Sequence, residues 1–593
     1  MTLRPKVWSG RLGAFVLVCV LSLSLAPVSD ADAFGVGEGV GSAPSSAVAA
    51  QPVPANPWGY NFDCCSLITN PPADFCTYFP CISSFSSGTG YVIECADGTY
   101  SRSGGVSGAC STHGGPGRTL FDPAHAVAAC DLTGAATSSA YLPNITKTLG
   151  GPSGFYTPFI VQNVGTTPTD LQVSFYRFGD GSLVACRKIS GLRPGTSFAD
   201  VPNNDADLPD NSQFSVVVRS FGSQIVAVVN EHAGSGDLAE ALSYNGFATG
   251  STTVYLPNIV RRFFGYHTPF IIQNLGTATT VATATFVGRG SEPGATILRT
   301  IAVGRSQFIE PNIESSLIDG GAYAVTIRAD QPLAVVVNTH NDDPPIRHPV
   351  AYATDGISAG ASTVYGAYAA KNTNNYGRAG TMSTIVVQNL GAAATAPTLE
   401  FTPLGGGPTT SFAGPSTAPG AAWAFDPRYV NGLAGGDLCP VIPSAGCLAN
   451  GEFTFKATAA GTIAAAVNVI SPDSAMGYTA TNSPATKYFL PNVTRTLGGP
   501  SGWTTPILLL SVNATGASVE WRRFSDGALV TTQNLALTAG VGIRIDPLAV
   551  GGLSNDTQYA LTVTGIGGQV VAIVEEFASG GDNAMIYEGF PAP

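Results

Sequence analysis

The sequence predicts an all-β protein, in which four tandem β-sandwich domains follow a small disulfide-rich module. Three observations lead there. The chain of 593 residues is too long for one core, and it restates one phrase along its length. It has 71 glycines and only 11% charged residues, where about 25% is usual, which suits short strands and many turns. Beyond the N-terminal leader, no long stretch carries the 3.6-residue apolar period of an amphipathic helix.

The repeats set the domain plan. "YLPNITKTLGGPSGFYTPFIVQNVG", "YLPNIVRRFFGYHTPFIIQNLG", "YGAYAAKNTNNYGRAGTMSTIVVQNLG" and "FLPNVTRTLGGPSGWTTPILLLSVN" begin at Tyr141, Tyr255, Tyr365 and Phe489. Their spacing of 110 to 124 residues exceeds the ~20–50 of a solenoid repeat and matches a free-standing domain. The units also end alike, in "QIVAVVNEH", "PLAVVVNTH", "TIAAAVNVI" and "QVVAIVEEF". The third unit holds an insertion with Cys439 and Cys447, close enough to bridge within their own loop.

Within the first unit, "FYTPFIVQN" places Phe155, Thr157, Phe159 and Val161 on one face and Tyr156, Pro158, Ile160 and Gln162 on the other. "LQVSFYRF", "SLVACRKI", "SFADV", "FSVVVRS" and "QIVAVVNEH" follow, separated by turn signals such as "GDGS" and "LRPGTS". About seven short strands per unit indicate a sandwich, with a barrel as the alternative. The recurrent Gln-Asn-x-Gly, at Asn163/Gly165, Asn274/Gly276 and Asn389/Gly391, reads as a turn. Asn bonds its own backbone two residues on, and Gly accepts positive φ. Unit four has Ser511 and Asn513 there, which argues against a shared catalytic role.

"FIVQNVGTTPTDLQVSFY" resembles bacterial immunoglobulin-like modules of the CARDB and related adhesion types, where a strand, an Asn-x-Gly turn and a second strand recur. The resemblance spans the four repeats. It implies immunoglobulin-like sandwiches in an exported surface protein, where such modules serve as spacers or binders. No functional residue is carried over from it.

The N-terminus reads as an export signal over 1–33. Arg4, Lys6 and Arg11 precede the apolar run Leu12–Ala26, and Ala31-Asp32-Ala33 fits cleavage after Ala33; an uncleaved anchor is the alternative. No later segment reaches the ~20 apolar residues of a transmembrane helix. Residues 34–57, rich in Gly, Ser, Ala and Pro, read as a flexible linker. With Cys19 in the leader set aside, Cys64, Cys65, Cys76, Cys81, Cys95, Cys110, Cys130, Cys186, Cys439 and Cys447 remain. An even number in an exported chain reads as disulfides rather than a metal site. Residues 58–133 hold an odd seven of them, so Cys186 is the expected partner that ties this module to the first sandwich. The sandwiches are expected over 134–250, 251–360, 361–483 and 484–593.

The sequence offers little for catalysis. It has no Gly-x-Ser-x-Gly elbow, no HExxH, no phosphate-binding loop, and only six histidines. His232 and His340 occupy a position that is Ile470 and Phe577 in the other units, so they read as packing residues. Asp205, Asp207 and Asp210 read as a solvated loop rather than a Ca²⁺ site, and Asn341-Asp342-Asp343 is weaker still. Asn144, Asn492, Asn513 and Asn555 are glycosylation acceptors in form. The net charge of −12 argues against nucleic acid. No cofactor, metal or catalytic residue is expected.

The function expected is that of a secreted or cell-surface, non-catalytic adhesion-type protein built as a repeat stalk. Its partner would be an extracellular protein or glycan, and the Cys-rich module would be either recognising head or cap. One alternative is carbohydrate binding through Tyr156, Trp503 and Trp521. Another is a hydrolase with its site at His113, His125 or Asp122.

Overall fold

The computed structural model describes residues 56–62, 66–122, 132, 134–179, 181–341, 348–440 and 445–592. Cys64, Cys65, Cys130, His125, Asp342 and Asp343 lie outside them. The class is all-β, as expected.

Module 1 has eight strands in two antiparallel sheets. Ser138–Lys147, Ser212–Ser220, Thr169–Arg177 and Leu183–Leu192 form one, in the order first, sixth, third, fourth. Ser197–Asp200, Phe159–Asn163, Ile225–Ala233 and Glu240–Asn245 form the other, in the order fifth, second, seventh, eighth. Leu142, Phe159, Val161, Val173, Phe175, Val218, Val229 and Leu242 meet between the sheets in one core. Module 4 repeats this order, with Phe590–Pro591 added beside its first strand. In modules 2 and 3 the sixth and seventh strands run on as Gly321–Asn341 and Gly451–Ile470, and these continuous strands keep the same partners. An immunoglobulin sandwich sets the first strand beside the second and the seventh beside the sixth. Here the first pairs with the sixth and the seventh with the second, and in module 3 the end of the first strand, Ala361–Asn375, also pairs with the second, Arg378–Asn389.

The restated phrase has a structural cause. Each first strand bulges in or beside the Leu-Pro-Asn position, where the register against the sixth strand shifts. Proline has no N–H to give to a ladder, so a bulge suits it. The loosened backbone is held from the eighth strand. The Tyr244 hydroxyl accepts from the Asn144 N–H at 3.2 Å and donates to its carbonyl at 2.6 Å. Tyr587 holds Asn492 in the same way, at 3.2 and 2.7 Å. Asn144 and Asn492 are therefore 2% and 4% exposed, which removes two of the four formal glycosylation acceptors.

The Asn-x-Gly reading is observed. Asn163 donates to the carbonyls of Thr167 and Leu192, both at 2.8 Å, and accepts the Gly165 N–H at 3.0 Å. Asn274 and Asn389 repeat all three bonds. Replacing Asn163 with Ala is expected to cost about 1–2 kcal/mol, because two carbonyls and one N–H lose their partner. A denaturant midpoint shifted down with an unchanged m-value would show it.

The four modules close on themselves. The outer face of each fifth–second–seventh–eighth sheet packs onto the module before it. Ile271, Val336, Ala351 and Ala353 of module 2 enter the core of module 1. Val386 and Ala422 of module 3 meet Ala324 of module 2. Leu508, Leu510, Val571 and Ile573 of module 4 enter the core of module 3. Ile160 and Val228 of module 1 enter the core of module 4, which completes the ring. Two hydroxyl contacts recur at equivalent points: Ser306 donates to the Pro143 carbonyl at 3.1 Å and Ser197 to that of Pro491 at 3.3 Å. The extended reach expected of four modules in series is thus not what the fold provides. A head-to-tail interface whose rotation closes gives a ring, here within one chain.

The eighth strands, Glu240–Asn245, Val350–Asp355, Ala475–Thr479 and Ala584–Glu588, gather side by side in the middle. Leu242 and Tyr244 point into their own sandwich, so alternate residues face the neighbouring modules. Ala241, Ala351, Ala475 and Ala584 form one fully buried layer, because only small side chains let four strands approach so closely. At Gly477 a Cβ would lie 2.4 Å from the Tyr352 ring.

The N-terminal module is held by aromatic packing and bridges. Tyr91–Cys95 runs between Tyr100–Gly104 and Pro116–Thr119. Phe75 stacks on Phe79 and Phe85 at 4.4 and 5.1 Å. Cys76 pairs with Cys81 and Cys95 with Cys110. Cys186 is itself disulfide-bonded. Cys439 pairs with Cys447 across a separation of 8, as expected. Changing both to Ser should raise hydrogen exchange in the 428–450 loop while the main thermal transition stays in place, because no core strand depends on that bridge.

Candidate functional site

The loops at one end of the ring draw the four modules together. Two kinds converge there: those between seventh and eighth strands, and those between first and second. The knot is Asp582. Its carboxylate accepts the Ala351 N–H of module 2 at 2.6 Å and the Ala475 N–H of module 3 at 2.9 Å. Its own N–H donates to the Ala239 carbonyl of module 1 at 2.9 Å. One residue of module 4 thereby touches all three others. Burial pushes its carboxyl well above the usual carboxylate range, against the pull of the two N–H groups and of Arg378.

Each joint also has an aromatic clasp from the first-to-second loop onto the seventh strand of the next module. Phe155 meets His340 at 5.5 Å, Trp503 meets His232 at 5.4 Å, and Tyr376 stacks on Phe577 at 5.0 Å. Tyr266 and Ile470 join one cluster at the remaining joint. His232 packs as its apolar counterparts implied, whereas His340 also lies 3.7 Å from the Glu240 carboxylate of module 1 and so makes a polar contact as well. Burial lowers His232 to about 4, so it is held neutral.

Below the clasps lie buried carboxyls. Glu231 accepts from Asn144 of its own module at 2.9 Å and from Asn338 of module 2 at 3.1 Å. Glu576 accepts from Asn492 at 2.9 Å and from Asn230 of module 1 at 3.1 Å. Burial raises Glu231 to about 7, against the pull of His340 and the amide donors, and Glu576 to about 8, against its two amide donors. At the joint of modules 3 and 4, Arg544 bridges Glu452 and Glu575, both at 3.0 Å, and Asn375 donates to Glu575 at 2.8 Å.

Beside the Gly580-Gly581 turn that leads into Asp582 is a cleft of about 570 Å³. All four modules line it: Asp237 from the first, His348 from the second, Tyr376, Arg378 and Asp473 from the third, and Ser501, Leu548 and Phe577 from the fourth. Arg378 is committed to the wall, donating to the carbonyls of Tyr376, Ala578 and Asn583. His348 Nδ1 lies 3.0 Å from the Asp237 carbonyl. Asp237 and Asp473 are exposed and form no ion pair with any described residue.

The residues singled out in the sequence fall mostly elsewhere. Trp521 is fully buried in the core of module 4, its Nε1 donating to Gln533 at 2.9 Å, so it presents no sugar-binding face. Tyr156 packs on His232 at 5.5 Å, on the side of the ring where Trp503 also sits. Asp205 pairs with Arg187, and Asp210 lies 3.1 Å from the Lys147 ammonium, so these carboxylates face different cations rather than one shared ion. His113 bonds Asp97 at 2.6 Å, not Asp122. Asp97 is held down at about 2, first by the Thr99 hydroxyl. The cleft went unpredicted because its walls come from separate loops scattered along the chain from Asp237 to Gly581.

No protein-family model matches this chain, and no curated protein matches it.

Proposed function

We propose that this chain is an exported, non-catalytic binding protein of the adhesion type, a compact four-module ring that holds an extracellular protein or glycan at one end. The observation that carries the reading is the convergence of loops from all four modules on one cleft, whose lining includes the exposed carboxylates of Asp237 and Asp473. Loops placed by a rigid scaffold are the usual seat of recognition. The buried titratable groups support a binding role over a catalytic one. Glu231, Glu576 and Asp582 are sealed inside joints and spend their oxygens on amides and backbone N–H groups. The disulfides fit an oxidising, extracellular setting.

The test is binding of the labelled chain to the producer's cell envelope and to a glycan panel. Asp237→Ala/Asp473→Ala is compared with Tyr78→Ala, which alters an exposed aromatic of the Cys-rich module. Loss of binding only in the double variant is expected. Loss only in Tyr78→Ala would move recognition to the Cys-rich module and overturn the assignment.

A further inference from the structure

At two joints of the ring a glutamate is clamped by the amides of two modules. Glu231 lies between Asn144 of its own module and Asn338 of the next, and Glu576 between Asn492 and Asn230. Strand register gives the matching positions at the joint of modules 2 and 3. Glu231 stands two residues beyond Val229, the partner of Phe159, and Thr339 stands two beyond Val337, the partner of Phe270. Asn468 follows Val467, the partner of Ile385, as Asn338 follows Val337. The joint thus keeps both amides, Asn258 and Asn468, but has Thr339 where its sisters have a carboxylate. Threonine is too short to bridge them.

The surroundings of that position suit an anion. Asn468 is 6% exposed, and its Oδ1 is buried without a hydrogen-bond partner, as is that of Asn338. In Asn338 this orientation leaves the amide nitrogen to donate to Glu231 at 3.1 Å. In Asn468 no described residue accepts from that nitrogen. Asn468 pairs with Gly477 across its sheet, and a Cβ at Gly477 would lie 2.4 Å from the Tyr352 ring, so this face meets module 2 at Tyr352. The Tyr352 hydroxyl lies in turn among Thr339, Asn258 and Arg289, which all draw its pKa down against the rise that burial imposes. Arg289 is half-buried, and burial lowers its guanidinium to about 10. It forms no ion pair with any described residue. Glu292, the carboxylate that acts on it from a distance, accepts the Gly290 N–H at 2.5 Å instead. Phe263 lies against the guanidinium face at 5.6 Å, which occupies none of its N–H groups. A cation withdrawn from water without a partner is costly.

We infer that the joint of modules 2 and 3 is a binding site for a small carboxylate, which takes the place that Glu231 and Glu576 hold in the sister joints, with Arg289 as its charge partner and Asn468 as its amide donor. The planar guanidinium fork matches a two-oxygen planar group. A carboxylate held there would fasten module 2 to module 3. The site is separate from the cleft, whose lining includes none of these residues.

The same group is carried by a free acid, a chain end or an acidic sugar. Acetate, N-acetylglycine and glucuronate are therefore titrated into the full chain by calorimetry at fixed pH and ionic strength, with sulfate as the control. Saturable binding of at least one carboxylate, with a rise in Tm, is expected. Arg289→Gln should weaken it about 10-fold. Thr339→Glu supplies the carboxylate from the chain itself, so it should unfold at a higher temperature than the wild type and no longer bind. Whichever of the three binds tightest assigns the source, and each supports the site. No saturable binding of any carboxylate, equally tight binding of sulfate, or unchanged affinity in Arg289→Gln would overturn the inference. If Thr339→Glu fails to fold, Arg289→Gln decides alone.

Discussion

Replacing Asp582 with Ala is expected to destabilise the ring by about 3–5 kcal/mol, the largest loss of any single polar change. Two buried N–H groups, of Ala351 and Ala475, would lose their only acceptor, and each such orphan costs about 1–3 kcal/mol. Asp582→Asn keeps one oxygen and turns the other into a donor that faces an N–H, so it should lose about half as much. Both are read as ΔΔG from denaturant unfolding. A loss below about 1 kcal/mol for Ala would mean that the carboxylate's own burial penalty had cancelled its bonds, and that Asp582 does not tie the modules.

Stability should fall as pH rises from 6.5 to 9. Glu231 and Glu576 keep their protons in the fold to about 7 and about 8, while the unfolded chain has released them near the ordinary Glu value of 4.5. Over that interval the native state binds more protons, so each pH unit removes about 1.4 kcal/mol per group until the folded pKa is passed. The loss is complete above pH 9, and the stabilisation is fully present below 4.5. Asp355 shifts in the same direction, first through burial and then through its neighbour Glu588. His232 acts oppositely: lowered to about 4, it costs stability as pH falls below its ordinary 6.5. The optimum therefore lies on the mildly acidic side of neutral, and the alkaline limb isolates the carboxyls. Calorimetry should show a drop of about 2–3 kcal/mol between pH 6.5 and 9. In Glu231→Gln/Glu576→Gln, where neutral amides replace the protonated acids, the drop should shrink by about 2–3 kcal/mol, leaving only what Asp355 and Asp582 contribute in the same direction. A wild type whose stability rises over this range would contradict the buried, protonated state of both groups.

Much of the fold could be read from particular residues. The β-branched runs and turn signals gave the strands, and Asn163, Asn274 and Asn389 gave the turns that the structure holds with three bonds each. Ring closure was harder to read because it lives in contacts between residues a full repeat apart. Traces of it were present. "FIVQN" and "QVVAIVEEF" alternate poorly, and all their residues from Phe159 to Asn163 and from Val570 to Phe577 are buried. A sheet covered on both faces reads as an unbroken apolar run. The fourth strand of module 4, Leu529–Ala536, faces outward and alternates as a one-sided strand should. The alanines at 241, 351, 475 and 584 recur at equivalent register, and Glu231 and Glu576 sit within apolar runs where a charge needs a partner. The cleft left no such trace, since each loop contributes only one or a few residues to it.

Ring closure is the central claim, and solution X-ray scattering of the chain from Asn56 tests it most directly. A closed ring of this length should give a radius of gyration of about 24 Å, the value for one compact body. A value roughly twice that, with a scattering curve of beads in line, would show four modules strung out in series and would contradict the ring.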